Sequence, residues 1–291
     1  MSTEGPPTGA GSPPSVSLLA LMRAEFTVGK RWRRLAFGLQ LVAVGAGIAG
    51  TVITDQQLIW AVTLIALFAL LLAHVCQLSA ERARALGEQT RRAVIIAEGL
   101  GQPIEPRREV ALRLAFDPWA NQLAQRSPDL GQRYFAATAA AGPARLRDYL
   151  QESVFWQTQL SKRMATYALA AVIVLGFVLL ASVLFALDSL DEQNARSVFA
   201  KALSTLIPFL VTTNTVRLWW SFQTQATALE QLDAELEDTR GHAQPPTETE
   251  VLRLLHEYNI QMLQVPEVPD VVYHRHWDEL NKGWAARAAS D

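Results

Sequence analysis

Apolar residues along this chain are gathered into four blocks instead of being spread as a soluble core requires. The first is Leu35–Thr54, the second Leu58–Leu78 and the third Ala165–Leu187. Each has roughly 20 residues, the length a helix needs to cross about 30 Å of hydrocarbon. Backbone amides in lipid must be satisfied within the segment, so these blocks predict membrane-spanning helices. The fourth block, Phe199–Trp220, is more polar, with Lys201, Thr205, Pro208, Thr212, Thr213, Asn214 and Arg217. One reading is a helix lying on the membrane surface. The other is a fourth span whose polar groups face a bundle interior or water, with Lys201 and Arg217 near its ends and Trp219 and Trp220 at the headgroups. The spanning reading is adopted here, and the expected fold is all-α with four transmembrane helices.

Between the blocks the patterns are helical too. Residues 79–98 carry no breaker beyond Gly87, which predicts that the second span continues as a stalk and stops near Gly99-Leu100-Gly101. A helix is expected from Pro106, with Val110, Leu112, Leu114 and Phe116 on its apolar face, interrupted at Asp117-Pro118. Ser127-Pro128-Asp129 reads as a cap and first turn of a helix running through Ala141. Gly142-Pro143 opens the next, with Leu146, Leu150, Val154 and Leu160 on one face. Beyond the fourth block, Leu229, Leu232 and Leu236 have coiled-coil spacing, and residues 240–246 form a hinge. Thr247 and Glu250 make a capping box ahead of a stripe of Val251, Leu254, Leu255, Tyr258 and Met262. A short aromatic helix is expected at the end of the chain. The divisions are a disordered leader (1–17), a pre-membrane segment and first hairpin (18–78), a cytoplasmic insertion (79–164), a second membrane pair (165–220) and a cytoplasmic tail (221–291).

Charge sets the orientation. Lys30, Arg31, Arg33 and Arg34 precede the first block; Arg82, Arg84, Arg91 and Arg92 follow the second; Lys162 and Arg163 precede the third. The links on the other side hold Asp55, Asp188, Asp191 and Glu192 against a single Arg196. The positive-inside rule then places both termini in the cytoplasm. The net charge of −2 excludes a protein that coats DNA or RNA, but it hides an asymmetry. Residues 79–164 have 13 Lys/Arg against 9 Asp/Glu, and residues 221–291 have 5 against 13, so insertion and tail are expected to pair. Cys76 is the one cysteine, which excludes an intramolecular disulfide and a cysteine metal cluster. Small residues Ala43, Ala46, Gly47 and Gly50 suit close packing of the first hairpin.

Candidate chemistry is sparse. Metalloprotease, nucleophile-elbow, phosphate-loop and dinucleotide motifs are absent, so neither an enzyme nor a cofactor is expected. His274 and His276 lie two apart and point to different sides of a helix, which argues against a metal site there. His74, inside the second block, reads either as a functional ionisable group or as a hydrogen bond to a neighbouring helix. Arg107, Arg108, Arg145, Arg147 and Trp156 combine guanidinium and aromatic groups that could hold a nucleotide; the alternative is a solvated helical surface over buried aromatics.

Four strings, together with the two-plus-two arrangement of blocks, resemble the SMODS-associating four-transmembrane effectors. They are LLALMRAEFTVGKRWRR (18–34), FDPWAN (116–121), LRDYLQESVFWQTQLSKRMATY (146–167) and VPEVPDVVYHRHW (265–277). Where the resemblance implies a basic residue before the tail prolines, this chain has Asn259 and Gln261. The family is encoded beside cGAS/DncV-like nucleotidyltransferases in cyclic-oligonucleotide anti-phage systems. The resemblance implies an effector that answers a cyclic oligonucleotide, forms homo-oligomers when active and breaches the lipid bilayer. Thr205, Pro208, Thr212, Thr213 and Asn214 are then the candidates for lining a water path.

Overall fold

Two helices longer than a bilayer is thick begin the structure. This computed structural model describes residues 16–53, 55–131, 135, 137, 139–188, 215–241 and 245–290. Helix α1 runs Leu18–Val52 and α2 runs Gln56–Leu100. At 1.5 Å per residue they measure about 52 and 68 Å, so each extends well beyond its apolar block as a stalk. Ser17 caps α1 by accepting from the Ala20 amide at 3.2 Å. Asp55 caps α2 by accepting from Gln57 and Leu58. Gly101 ends α2 at φ 70°, a left-handed conformation suited to glycine, and Gln102 N–H reaches back to the Ala97 carbonyl at 3.0 Å.

The remaining elements are α3 (Pro106–Ala115), α4 (Pro118–Arg126), a 3-10 turn (Pro128–Gly131), α5 (Pro143–Asp188), α6 (Thr215–Gly241), α7 (Glu248–Gln264) and α8 (Asp270–Ser290). Every regular element among the described residues is helical. Prolines start α3, α4 and α5, where their missing N–H costs nothing. Thr247 caps α7 by accepting from Glu250 N–H at 3.3 Å, as its capping pattern predicts.

α1 and α2 meet along a seam of small residues. On α2 these are Ala69, Ala73, Cys76, Ala80, Ala83 and Gly87, spaced alternately four and three apart, all buried. On α1 they are Gly29, Ala36, Ala43 and Gly50, spaced seven apart. A Cβ built on Gly29 would lie 3.3 Å from Ala83 Cβ, and one on Gly87 would lie 2.9 Å from the Phe26 ring. This is a heptad seam with its large residues removed, so the helix axes approach closely. The predicted packing role of Ala43 and Gly50 fits the seam; Ala46 and Gly47 are half-buried beside it.

Below the apolar blocks three clusters of buried side chains hold the stalks. Leu21, Met22 and Val28 of α1 pack with Val94, Leu112, Phe116 and Ala120. Leu146, Leu150 and Val154 of α5 pack with Leu229, Leu232 and Leu236 of α6 and Val251, Leu254, Leu255 and Tyr258 of α7. The coiled-coil spacing in α6 therefore serves an intramolecular bundle. Leu160, Phe222, Val265, Val268 and Leu280 form the third cluster, nearest the apolar blocks.

The apolar blocks themselves are turned outward. Leu64, Phe68 and Phe177 are 61%, 64% and 67% exposed, with many large neighbours alike. A monomer in water does not present such a surface. Among the described residues two helices, Gln56–Leu100 and Pro143–Phe177, are long and apolar enough to cross a membrane. The Leu35–Val52 part of α1 pairs with the first of these and exposes Leu35, Phe37, Leu41, Val42 and Ile48. Residues 199–214, which hold most of the fourth block and all five water-path candidates, lie outside the described residues.

Three local expectations are corrected. Val110 and Leu114 are 55% and 82% exposed while Leu112 and Phe116 are buried; a spacing of two puts alternate residues on opposite sides of a helix. Ser127-Pro128-Asp129 opens a single 3-10 turn instead of a helix through Ala141, and the described residues from 135 to 140 are not helical. The final helix, α8, is 21 residues long and not short.

Candidate functional site: a charged collar below the apolar helices

The four strings singled out in the sequence converge on one region. Trp32 stacks on Trp119 with centroids 5.9 Å apart and planes 3° apart, and Glu25 accepts from the Asp117 amide at 3.2 Å. These contacts join the pre-membrane string to FDPWAN. Trp156 lies 5.8 Å from Tyr273 and 5.1 Å from Trp277, which joins the α5 string to the tail string. Lys30, Arg33 and Arg34 then tie the pre-membrane string to the tail string directly.

That last junction is ionic. Val265 and Val268 are buried in the third cluster, so the elbow between α7 and α8 holds Glu267 toward α1. Lys30 Nζ lies 3.2 Å from Glu267 and 2.6 Å from Asp270. Arg34 meets Asp270 at 2.5 Å. Arg33 donates to the Glu267 backbone carbonyl at 3.3 Å, with its guanidinium 4.0 Å from the carboxylate. From α2, Arg84 donates to the Met262 carbonyl at the end of α7. Asp270 also stands in the first turn of α8, where the helix dipole favours an acid.

Burial and charge compete in this junction. Burial pushes the Glu267 carboxyl above its ordinary value, against the pull of Lys30, Arg33 and Arg84. Burial alone would depress the Lys30 ammonium, but Glu267 and Asp270 together outweigh it and raise the group. Arg84 is lowered, first by burial, with Arg33 and Arg91 adding to the effect and Glu88 and Glu267 opposing it.

Further contacts fix the tail helices to the stalks. Arg91 of α2 binds Glu88 at 2.8 Å and donates to the Tyr258 hydroxyl of α7 at 3.0 Å, all three being buried. Ser161 of α5 donates to Gln225 of α6 at 2.7 Å, and Gln225 donates onward to the Gln261 carbonyl of α7 at 2.9 Å. Arg163 pairs with Glu279, whose other oxygen lies 3.1 Å from His276; that ring in turn contacts the Tyr167 hydroxyl at 3.1 Å. Near the end of α8, Arg287 holds Asp233 and Glu237 at 2.7 and 2.9 Å. The acidic tail thus pairs with Lys30, Arg33 and Arg34 ahead of the first apolar block and, as its charge predicts, with Lys162 and Arg163 of the insertion.

The proposed nucleotide residues are not brought together. Arg107 and Arg108 are exposed on α3. Arg145 donates to Tyr149 Oη at 3.0 Å and lies over its ring, and Arg147 pairs with neighbouring Asp148. Trp156 belongs to the third cluster, beside Tyr273. His74 is exposed on α2. Asn259 is buried and its Oδ1 has no hydrogen-bond partner among the described residues. Sequence reasoning used Lys30, Arg33 and Arg34 for orientation alone and passed over Glu267 and Asp270; the opposite charge of the two segments was the available signal.

Comparisons with protein-family models, with curated proteins and with solved structures find no match to this chain.

Proposed function

We propose that this chain is a four-span effector of the bacterial inner membrane in a cyclic-oligonucleotide anti-phage system, with both termini in the cytoplasm. On this reading it is not an enzyme. A cyclic oligonucleotide, or a related infection signal made by a partner nucleotidyltransferase, acts on the cytoplasmic helices. Homo-oligomers then permeabilise the membrane and abort the infection. The observation that supports the reading is the collar, where three of the strings that resemble the family's meet at the base of outward-facing apolar helices. A movement of α7 or α8 there is mechanically coupled to α1, α2 and α5. Thr205, Pro208, Thr212, Thr213 and Asn214 are the proposed water path, within the proposed fourth span.

The test is membrane depolarisation or dye entry in cells expressing the protein together with its signal-producing partner. Loss of potential on activation supports the reading, and intact membranes contradict it. A second reading, a membrane-anchored sensor that passes its signal to a soluble partner, draws on the exposed Val110, Leu114 and Trp119 of the insertion. Changing Asn214 and the nearby threonines to Leu separates the two: a pore loses conductance, whereas a sensor keeps signalling.

A further inference from the structure

Lys30, Arg33 and Arg34 occupy the last turn and a half of α1 before Leu35, where the apolar block begins. Long cations at that position ordinarily face the phosphates of the inner leaflet. Here they face carboxylates of the chain's own elbow. The charged groups gathered at the junction are Lys30, Arg33 and Arg34 of α1, Arg84, Glu88 and Arg91 of α2, Glu267 of the elbow and Asp270 of α8. Glu88 is engaged by Arg91. That leaves four cations on two carboxylates, and the hydrogen bond from Arg84 goes to a neutral carbonyl. The junction is short of negative charge.

Guanidinium groups bind phosphate through paired, charge-assisted hydrogen bonds, and a phosphate offers more acceptor oxygens than a carboxylate. We propose that the collar of Lys30, Arg33, Arg34 and Arg84 is a phosphate-binding site that Glu267 and Asp270 occupy in place of ligand, and that the phosphate of an anionic lipid headgroup displaces the elbow from it. The elbow is built for such an exchange. Pro266 precedes Glu267 and Pro269 follows after Val268, so two residues of the elbow carry no backbone N–H. The exchange requires only that headgroups bind the open collar better than the closed one. The inference rests on the membrane reading of the chain but not on the formation of a pore.

The full chain, with C76A removing the native thiol, carries spin labels at R31C and V271C, two exposed positions on either side of the junction. Distances are measured in vesicles of phosphatidylcholine, in the same vesicles with added inorganic phosphate, and in vesicles containing phosphatidylglycerol. The expected result is one short distance in phosphatidylcholine, whose phosphate is neutralised by its own choline, and a shift to a second, longer population in phosphatidylglycerol. Inorganic phosphate producing the same shift supports the site with a soluble source in place of the lipid. An identical distribution in all three conditions overturns the proposal. An E267Q/D270N chain that shows the longer distance already in phosphatidylcholine supports the carboxylates as the resident occupants. Retention in the vesicles after an alkaline wash is scored separately: a protein that washes off contradicts the membrane reading, and the inference with it.

Discussion

The Lys30 ammonium lies 2.6 Å from the Asp270 carboxylate across 240 positions of sequence, and this contact closes the tail onto the base of the first apolar helix. Replacing Lys30 by Met removes the charge while keeping much of the stem. A hydrogen bond between charged partners contributes about 2 kcal/mol when partly buried. K30M should therefore lower the stability of α8 docking by ~2 kcal/mol, seen as faster amide exchange over 270–280. Exchange in α3, which is remote from the contact, should stay unchanged.

The glycines of α1 and α2 outside the seam make predictions of opposite sign. A Cβ on Gly99 would meet Leu146 Cα at 3.0 Å, backbone that cannot step aside, so G99A should destabilise by about 1–3 kcal/mol. A Cβ on Gly38 or Gly45 meets nothing within 4 Å. G38A and G45A should be neutral or stabilising by up to ~1 kcal/mol through helix propensity. Thermal unfolding in detergent compares the three.

Gln225 links α5, α6 and α7 through hydrogen bonds to Ser161 and to the Gln261 carbonyl, with its side chain fully enclosed. Q225L leaves the buried Ser161 hydroxyl and the part-buried Gln261 carbonyl without it and should cost about 2 kcal/mol. The double variant Q225L/S161A removes the hydroxyl as well and should recover part of that loss. Denaturant unfolding of the four chains gives the coupling as a double-mutant cycle.

Acid should loosen the end of α8. The Arg287 hydrogen bond, followed by the charges of Arg287 and Arg240 and the Gln151 contact, holds Glu237 below its ordinary value against the opposing effect of burial. A depressed acid contributes stability that is present above the ordinary glutamate value and lost as pH falls through the depressed one. Glu267, lifted by burial, has the opposite sign: its contribution falls as pH rises from the ordinary value through the raised one. E237Q should flatten the acid limb of a stability–pH curve recorded by tryptophan fluorescence, whereas the unsubstituted chain should show it.

Local signals in the sequence carried much of this fold. The end of α2 at Gly101, the prolines opening α3 and α5, and the Thr247 cap each depend on a few adjacent residues, and they were legible, whereas Asp117-Pro118 reads as an interruption and in fact caps and opens α4. Val110 and Leu114 were misassigned because a two-residue spacing was counted as a helical face. The seam on α2 was missed because alanines inside an apolar run look like lipid-facing filler until a partner helix is known. The collar was the least legible part. Lys30 and Asp270 are joined only by the folding of the helices between them, and no local pattern in either segment announces the other.

The lipid-facing collar and the effector reading both depend on which side of the membrane the tail occupies. A reporter fused after Asp291, active only in the periplasm or only in the cytoplasm, measures this directly. Four spans with both termini inside predict a cytoplasmic reporter, in the compartment where Lys30 can meet Asp270. Periplasmic activity would mean an odd number of crossings, and would contradict both the collar in the living cell and the effector built upon it.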